Sequence, residues 1–129
     1  MTMDTIGFYE DDEGICCDII LESFVDASVQ VVNLEIYEIN DKFLMDIDYL
    51  RNNQREMNSK VNQSISEYIK RKYHSDSVDF KLIKVYAFHD EDRKYGLIFN
   101  WDGDSEHGIG VKVDNTDVIK VGPAEVSFM

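Results

Sequence analysis

The sequence predicts an α+β fold, a mainly antiparallel β-sheet of about seven strands with one long helix, bent or broken, packed on one face. Three observations carry that expectation: short segments of alternating apolar residues, one stripe of large residues recurring every three or four positions, and brief polar connections between consecutive strands. With 129 residues, 43% of them hydrophobic, one proline and seven glycines, the chain suits a single domain spanning residues 1–129. A domain of this size buries roughly two-thirds of the surface its unfolded chain exposes. No repeat, low-complexity stretch or linker divides it.

Strand-like segments come first. Ile6 to Glu10 and Ile15 to Leu21 flank the polar turn Asp11-Asp12-Glu13-Gly14, where Gly14 supplies a positive φ. Cys16 and Cys17 are neighbours in the second segment; successive strand side chains point to opposite faces, so they do not bond to each other and read as reduced, buried thiols. Val29 to Ile39 forms the third segment. Val29 and Val31 alternate in one phase and Val32, Leu34 and Ile36 in the other, a switch that predicts a β-bulge or a sharp twist.

The helical stripe follows, with Phe43, Ile47, Leu50, Gln54, Met57, Val61, Ile65, Tyr68 and Lys72/Tyr73 in register and Gln54 its polar intrusion. Asn40 or Asp41 is the N-cap. Lys70, Arg71 and Lys72 fall in the last turns, where they complement the helix dipole; that explains the basic cluster more economically than phosphate binding does. About 31 residues rising ~1.5 Å each span roughly 45 Å, more than an ordinary core, so the helix bends, breaks near Asn52-Asn53 or projects past the sheet. The remaining strands are Val78 to Phe88, Tyr95 to Trp101, Gly108 to Val113 and Val118 to Val121. Tyr95, Leu97, Phe99 and Trp101 share one face, aimed at the helix.

Charge is the strongest functional clue. Residues 1–50 hold thirteen carboxylates and a single cation, Lys42, for a charge of −12; residues 51–73 carry +4 and residues 74–129 carry −5, within a total of −13. Such a field brings solubility, repels nucleic acid and attracts basic partners. Nucleic acid is excluded as a ligand on this reading, because phosphate contacts need a cationic face. The first residues lack a basic stretch followed by an apolar run, and no apolar run reaches the ~20 residues a spanning helix needs, so a cytoplasmic protein without a membrane anchor is expected.

The stretch Tyr95-Gly-Leu-Ile-Phe-Asn-Trp-Asp-Gly-Asp-Ser-Glu-His-Gly-Ile-Gly-Val-Lys-Val, followed by Val118-Ile-Lys-Val-Gly, resembles an uncharacterised family of small bacterial α+β domains. Its signature is an aromatic-acidic loop, then Glu-His-Gly-Ile-Gly, then a final hairpin ending in Val-Gly. The resemblance implies a fold and a bacterial setting and no reaction. By build alone, the chain also resembles immunity proteins of contact-dependent growth inhibition, which neutralise toxin domains from neighbouring cells. That likeness implies a cationic protein partner, a toxin nuclease domain above all, toward which an acidic surface associates rapidly. The candidate contacts are Asp11, Asp12 and Glu13 in the first turn and Asp102, Asp104 and Glu106 in the aromatic-acidic loop, with Tyr37 or Trp101 as aromatic anchor. Trp101 reads first as core.

No catalytic residue, metal or cofactor is assigned. Counted from Asp102 as a calcium loop, position 6 is His107 and position 12 is Val113, where Gly and Glu are needed. His74, His89 and His107 lie in separate segments, no Gly-x-Ser-x-Gly elbow occurs, and Gly108-Ile-Gly110 leads into a strand rather than a phosphate-binding helix. The alternative to a binding protein is a small metal-assisted hydrolase using Asp102, His89 and His107. A self-associating module with an exposed sheet edge is the third reading.

Overall fold

The computed structural model describes residues 7–129; the start of the first predicted strand, Ile6, lies outside them. Seven strands form one sheet in chain order: β1 Phe8–Asp11, β2 Gly14–Ile20, β3 Ser28–Leu34, β4 Phe80–Phe88, β5 Lys94–Trp101, β6 Ile109–Asp114 and β7 Asp117–Gly122. Every neighbouring pair is antiparallel except β3 and β4, which run parallel with Val32 opposite Tyr86. A parallel pair needs a crossover. Here it is helical and occupies residues 41–73.

Two helices, not one, make that crossover: α1 Asp41–Asn52 and α2 Gln54–Tyr73. The break falls at Asn53, whose backbone leaves the helical region (φ −118°, ψ 13°). Its side-chain amide donates to the Tyr49 carbonyl at 2.9 Å, and Gln54 Nε2 donates to the Arg51 carbonyl at 3.1 Å, so two carbonyls in the last turn of α1 are met by side chains of the residues that end it. Asn40 is the N-cap, accepting the Phe43 N–H at 2.9 Å. Lys70, Arg71 and Lys72 close α2, and His74 takes the left-handed cap position at φ 53°. Gln54 is no defect in the stripe: nearly buried, it accepts the Ser23 N–H at 3.0 Å.

Both helices bury their stripes on one face of the sheet, against Val29, Val31, Val85, Leu97, Phe99, Trp101 and Val111. The opposite face holds a smaller cluster, Cys16, Val32, Tyr86 and Phe88. This corrects the expectation of a bulge in the third strand. The β2–β3 register is unbroken from Ser28 to Leu34, and the change of phase arises because Val31 lies under the helices while Val32 is buried on the other side. Irregularities sit instead between Leu82 and Lys84 and between Lys112 and Val113. The third strand also stops at Leu34, because Glu35 turns into the left-handed region at φ 65°. The adjacent cysteines are both free and buried, one in each cluster, and burial pushes both thiols up to about 12.

A short 3-10 helix, Ala124–Phe128, straps the outer face of β5 and β6. Glycine admits it. A Cβ on Gly96 would lie 1.6 Å from the Ser127 carbonyl oxygen, and one on Gly110 would lie 2.5 Å from that of Pro123. Phe128 stacks edge-on against Tyr86 at 5.8 Å, and Val126 is buried on the sheet. The Gly-Ile-Gly and Val-Gly elements of the C-terminal motif therefore have a packing role: they clear a channel for the strap.

Candidate functional site

Strand direction sorts the loops. β1, β3, β4 and β6 finish at the same end of the sheet, so the β1–β2 turn, the segment after β3, the β4–β5 turn and the β6–β7 turn all meet there. These connections carry Asp11, Asp12 and Glu13; Glu35 and Glu38; Asp90, Glu91 and Asp92; and Asp114 with Asp117 at the flanking strand ends. The first two are stitched together directly. Glu35 N–H donates to the Glu13 carbonyl at 2.7 Å, Ile15 N–H to the Ile36 carbonyl at 2.7 Å, and the Tyr37 hydroxyl to the Asp12 carbonyl at 2.7 Å. Tyr37, half exposed, thus lies beside the turn with which it was grouped as a contact.

The turn carboxylates are not equivalent. Asp11 accepts the Glu13 N–H at 2.8 Å and Gln30 Nε2 at 3.0 Å; the backbone bond above all holds its carboxyl below the usual range, against some desolvation. Glu13 is neutralised, with Lys84 Nζ at 2.7 Å and the Tyr86 hydroxyl donating at 2.6 Å. Burial first, and then Glu13, push the Tyr86 hydroxyl well above its ordinary value. Asp12 is exposed and, among the described residues, has no cation within ion-pair distance. At the same end Lys94 pairs with Glu91 at 2.8 Å, and Lys60 bridges Asp117 at 2.8 Å and Glu56 at 3.2 Å.

The aromatic-acidic loop lies elsewhere. Asp102, Asp104 and Glu106 follow β5 at the opposite end of the sheet, about 25 Å away at ~3.3 Å per strand residue. The predicted contacts therefore form two separate groups. Trp101 is 3% exposed, packed 4.8 Å from Tyr73 and donating from Nε1 to Ser77 Oγ at 3.1 Å, so it is core and presents no face to a partner. Asp104 is a local organiser: it accepts the Tyr73 hydroxyl at 2.6 Å and His107 Nδ1 at 2.9 Å, which lower its carboxyl to about 2, the tyrosine contributing most. Gly108 makes the bend at φ 64°.

Asp102, His89 and His107 do not converge, because His89 follows β4 at the acidic end while the other two follow β5 at the far end. Among the described residues no three His, Cys, Asp or Glu side chains come together in a metal-holding group. Among the same residues no helix is long and apolar enough to cross a membrane.

Sequence reading missed Asp90, Glu91, Asp92, Asp114 and Asp117 as neighbours of the first turn. The signal that would have joined them is the helical crossover itself, which makes β3 parallel to β4 and returns the chain to the same end. The acidic block of the sequence is also not the acidic block in space: Glu22 and Asp26, in the β2–β3 connection, lie at the far end. Comparison of the chain with protein-family models, with curated proteins and with solved structures found no match, so the reading of this surface rests on its own geometry.

Proposed function

We propose that the protein is a non-enzymatic acidic binding protein, an immunity protein that neutralises a basic, nuclease-type bacterial toxin domain in the cytoplasm by direct binding. The observation that carries this reading is the meeting of four acidic connections at one end of the sheet, with Asp12 at its tip, unpaired among the described residues, and Tyr37 beside it. A nuclease cleft is cationic because it holds phosphates. A rigid acidic surface complements it, raises the association rate and competes with its substrate. The resemblance to small bacterial α+β domains agrees with this setting and adds no chemistry to it.

The test is co-expression with the product of the neighbouring open reading frame, which this reading expects to be a basic nuclease toxin domain, followed by binding of the purified pair. Protection of the host and a one-to-one, salt-sensitive complex are the expected results. Asp12→Lys slows association several-fold at low salt and leaves the melting temperature unchanged, since the Asp12 side chain holds no partner among the described residues. Glu13→Lys is a poorer probe, because it also strands Lys84 and the Tyr86 hydroxyl. Association rates for Asp12→Lys equal to those of the parent chain at every salt concentration would remove this end from the interface.

A further inference from the structure

At the acidic end a cleft of about 660 Å³ opens between α1 and the β4–β5 and β6–β7 turns. Small-ligand and anchor pockets commonly measure ~300–1,000 Å³. Its floor is built around a carboxylate: Asp46, 2% exposed, accepts Lys42 Nζ and the Arg93 N–H, the latter at 3.0 Å, while the Tyr95 hydroxyl donates to its backbone carbonyl. Arg93 and Asn115 form the rim. Both sit in the left-handed region, at φ 56° and 57°, and are tied by the Asn115 N–H to the Arg93 carbonyl at 2.7 Å.

Two features give the cleft a chemical preference. It already receives a guanidinium, for the Arg93 side chain lies 4.8 Å over the Tyr49 ring, a cation on an aromatic platform. Its charge is also unbalanced. Lys42 is engaged by Asp46, whereas Asp48 and Asp92 line the opening, are exposed, and have no ion-pair partner among the described residues. Met45, 67% exposed, adds a soft apolar wall suited to an aliphatic stem. Planar guanidinium on an aromatic face with carboxylates at the edge is arginine recognition; a compact ammonium uses the same carboxylates and less of the ring.

We propose that this cleft is the anchor pocket for an arginine side chain of the basic protein partner, with Tyr49 as platform, Asp48 and Asp92 as counter-charges, and Arg93 as the occupant it displaces. The proposal rests on the binding-protein reading above and adds where, and by which side chain, the partner is held. Arg93 keeps the ring covered while no partner is bound, and the incoming side chain exchanges with it.

Titration of the full, isotope-labelled chain with the blocked tripeptide Ac-Gly-Arg-Gly-NH2, followed by amide chemical shifts, tests it. Saturable shifts at Asp46 to Asn53 and at Asp92 and Arg93 are expected, weaker ones with the lysine analogue and none with the glutamine analogue. Tyr49→Phe retains binding, and Tyr49→Ala weakens it about five-fold. Arg93→Gly, which preserves the left-handed turn, tightens binding, whereas Lys94→Ala, the neighbouring loss of one positive charge, does not tighten it to the same extent. Shifts at the Asp11–Glu13 turn instead, shifts that never saturate, or equal tightening by the two charge removals would overturn the pocket. A protein partner that binds through the acidic end of a chain whose cleft ignores arginine overturns this proposal alone. A cleft that saturates with arginine in a chain that binds no cationic protein overturns the immunity reading, and with it the assignment of the pocket to that partner, and leaves only the arginine site itself.

Discussion

Replacing Gly96 by alanine is the sharpest perturbation of the fold. The new Cβ would lie 1.6 Å from the Ser127 carbonyl oxygen and 2.5 Å from its carbonyl carbon, contacts with backbone that no rotamer change relieves. Either the strap lifts or β5 bends. Overpacking of a closed core costs about 1–3 kcal/mol. Lifting the strap exposes Val126 and separates Phe128 from Tyr86, about 1.5 and about 1 kcal/mol respectively. The cost of lifting, about 2.5 kcal/mol, falls within the overpacking range, and for a domain of this size it lowers the melting temperature by roughly 10 °C. Thermal unfolding measures the cost, and amide hydrogen exchange locates it. The Ala124 and Val126 amides, bonded to His107 and Pro123 carbonyls at 3.1 and 3.0 Å, lose protection while α1 and α2 keep theirs. Gly7→Ala, with nothing within 4 Å of its would-be Cβ, is the control and stays within about 0.5 kcal/mol. A Gly96→Ala protein as stable as that control, or one whose strap amides remain protected, refutes the channel as the reason for the glycine.

Two further outcomes follow from single hydrogen-bonded groups. Asp104 has a carboxyl lowered from 3.8 to about 2, so its contribution is complete above the ordinary value and is lost as pH falls from about 4 toward 2; Asp104→Asn flattens the acid limb of a melting-temperature profile over that window. A variant that declines over this window as steeply as the parent would show that Asp104 does not link folding to protons. Gln54→Leu makes the helical stripe apolar throughout but leaves the Ser23 N–H without its acceptor, and should cost about 1–3 kcal/mol in urea unfolding at unchanged slope. A stability gain there would mean that the amide is dispensable.

Much of the fold was legible because alternation and helical spacing report burial directly. The stripe from Phe43 to Tyr68 is buried as read, the break near Asn52-Asn53 falls at Asn53, and Tyr95 to Trp101 faces the helices. Where both faces of a strand are covered the periodicity loses its meaning, and Val29 to Val32 looked like a bulge for that reason. The site was legible only in parts. Asp12, Glu13 and Tyr37 are named by charge and aromaticity, but neither property tells which turns share an end. That depends on strand direction, and a single parallel pair decides it. Nor does a run of acids reveal which are held: Asp11 and Glu13 are tied into the sheet by Gln30, Lys84 and Tyr86, while the Asp12 side chain between them meets no partner among the described residues.

The parallel pairing of β3 with β4 is also a seam in time. Every other strand pairing joins chain neighbours and closes across a short turn or loop, whereas this one joins residues 30–34 to residues 84–88, so it carries the largest single loop-closure cost in assembling the sheet. The acidic end straddles it, with Asp12 contributed from one side and Asp92 from the other. A molecule gripping both margins would clasp the two halves together, coupling its own affinity to the cohesion of the whole sheet.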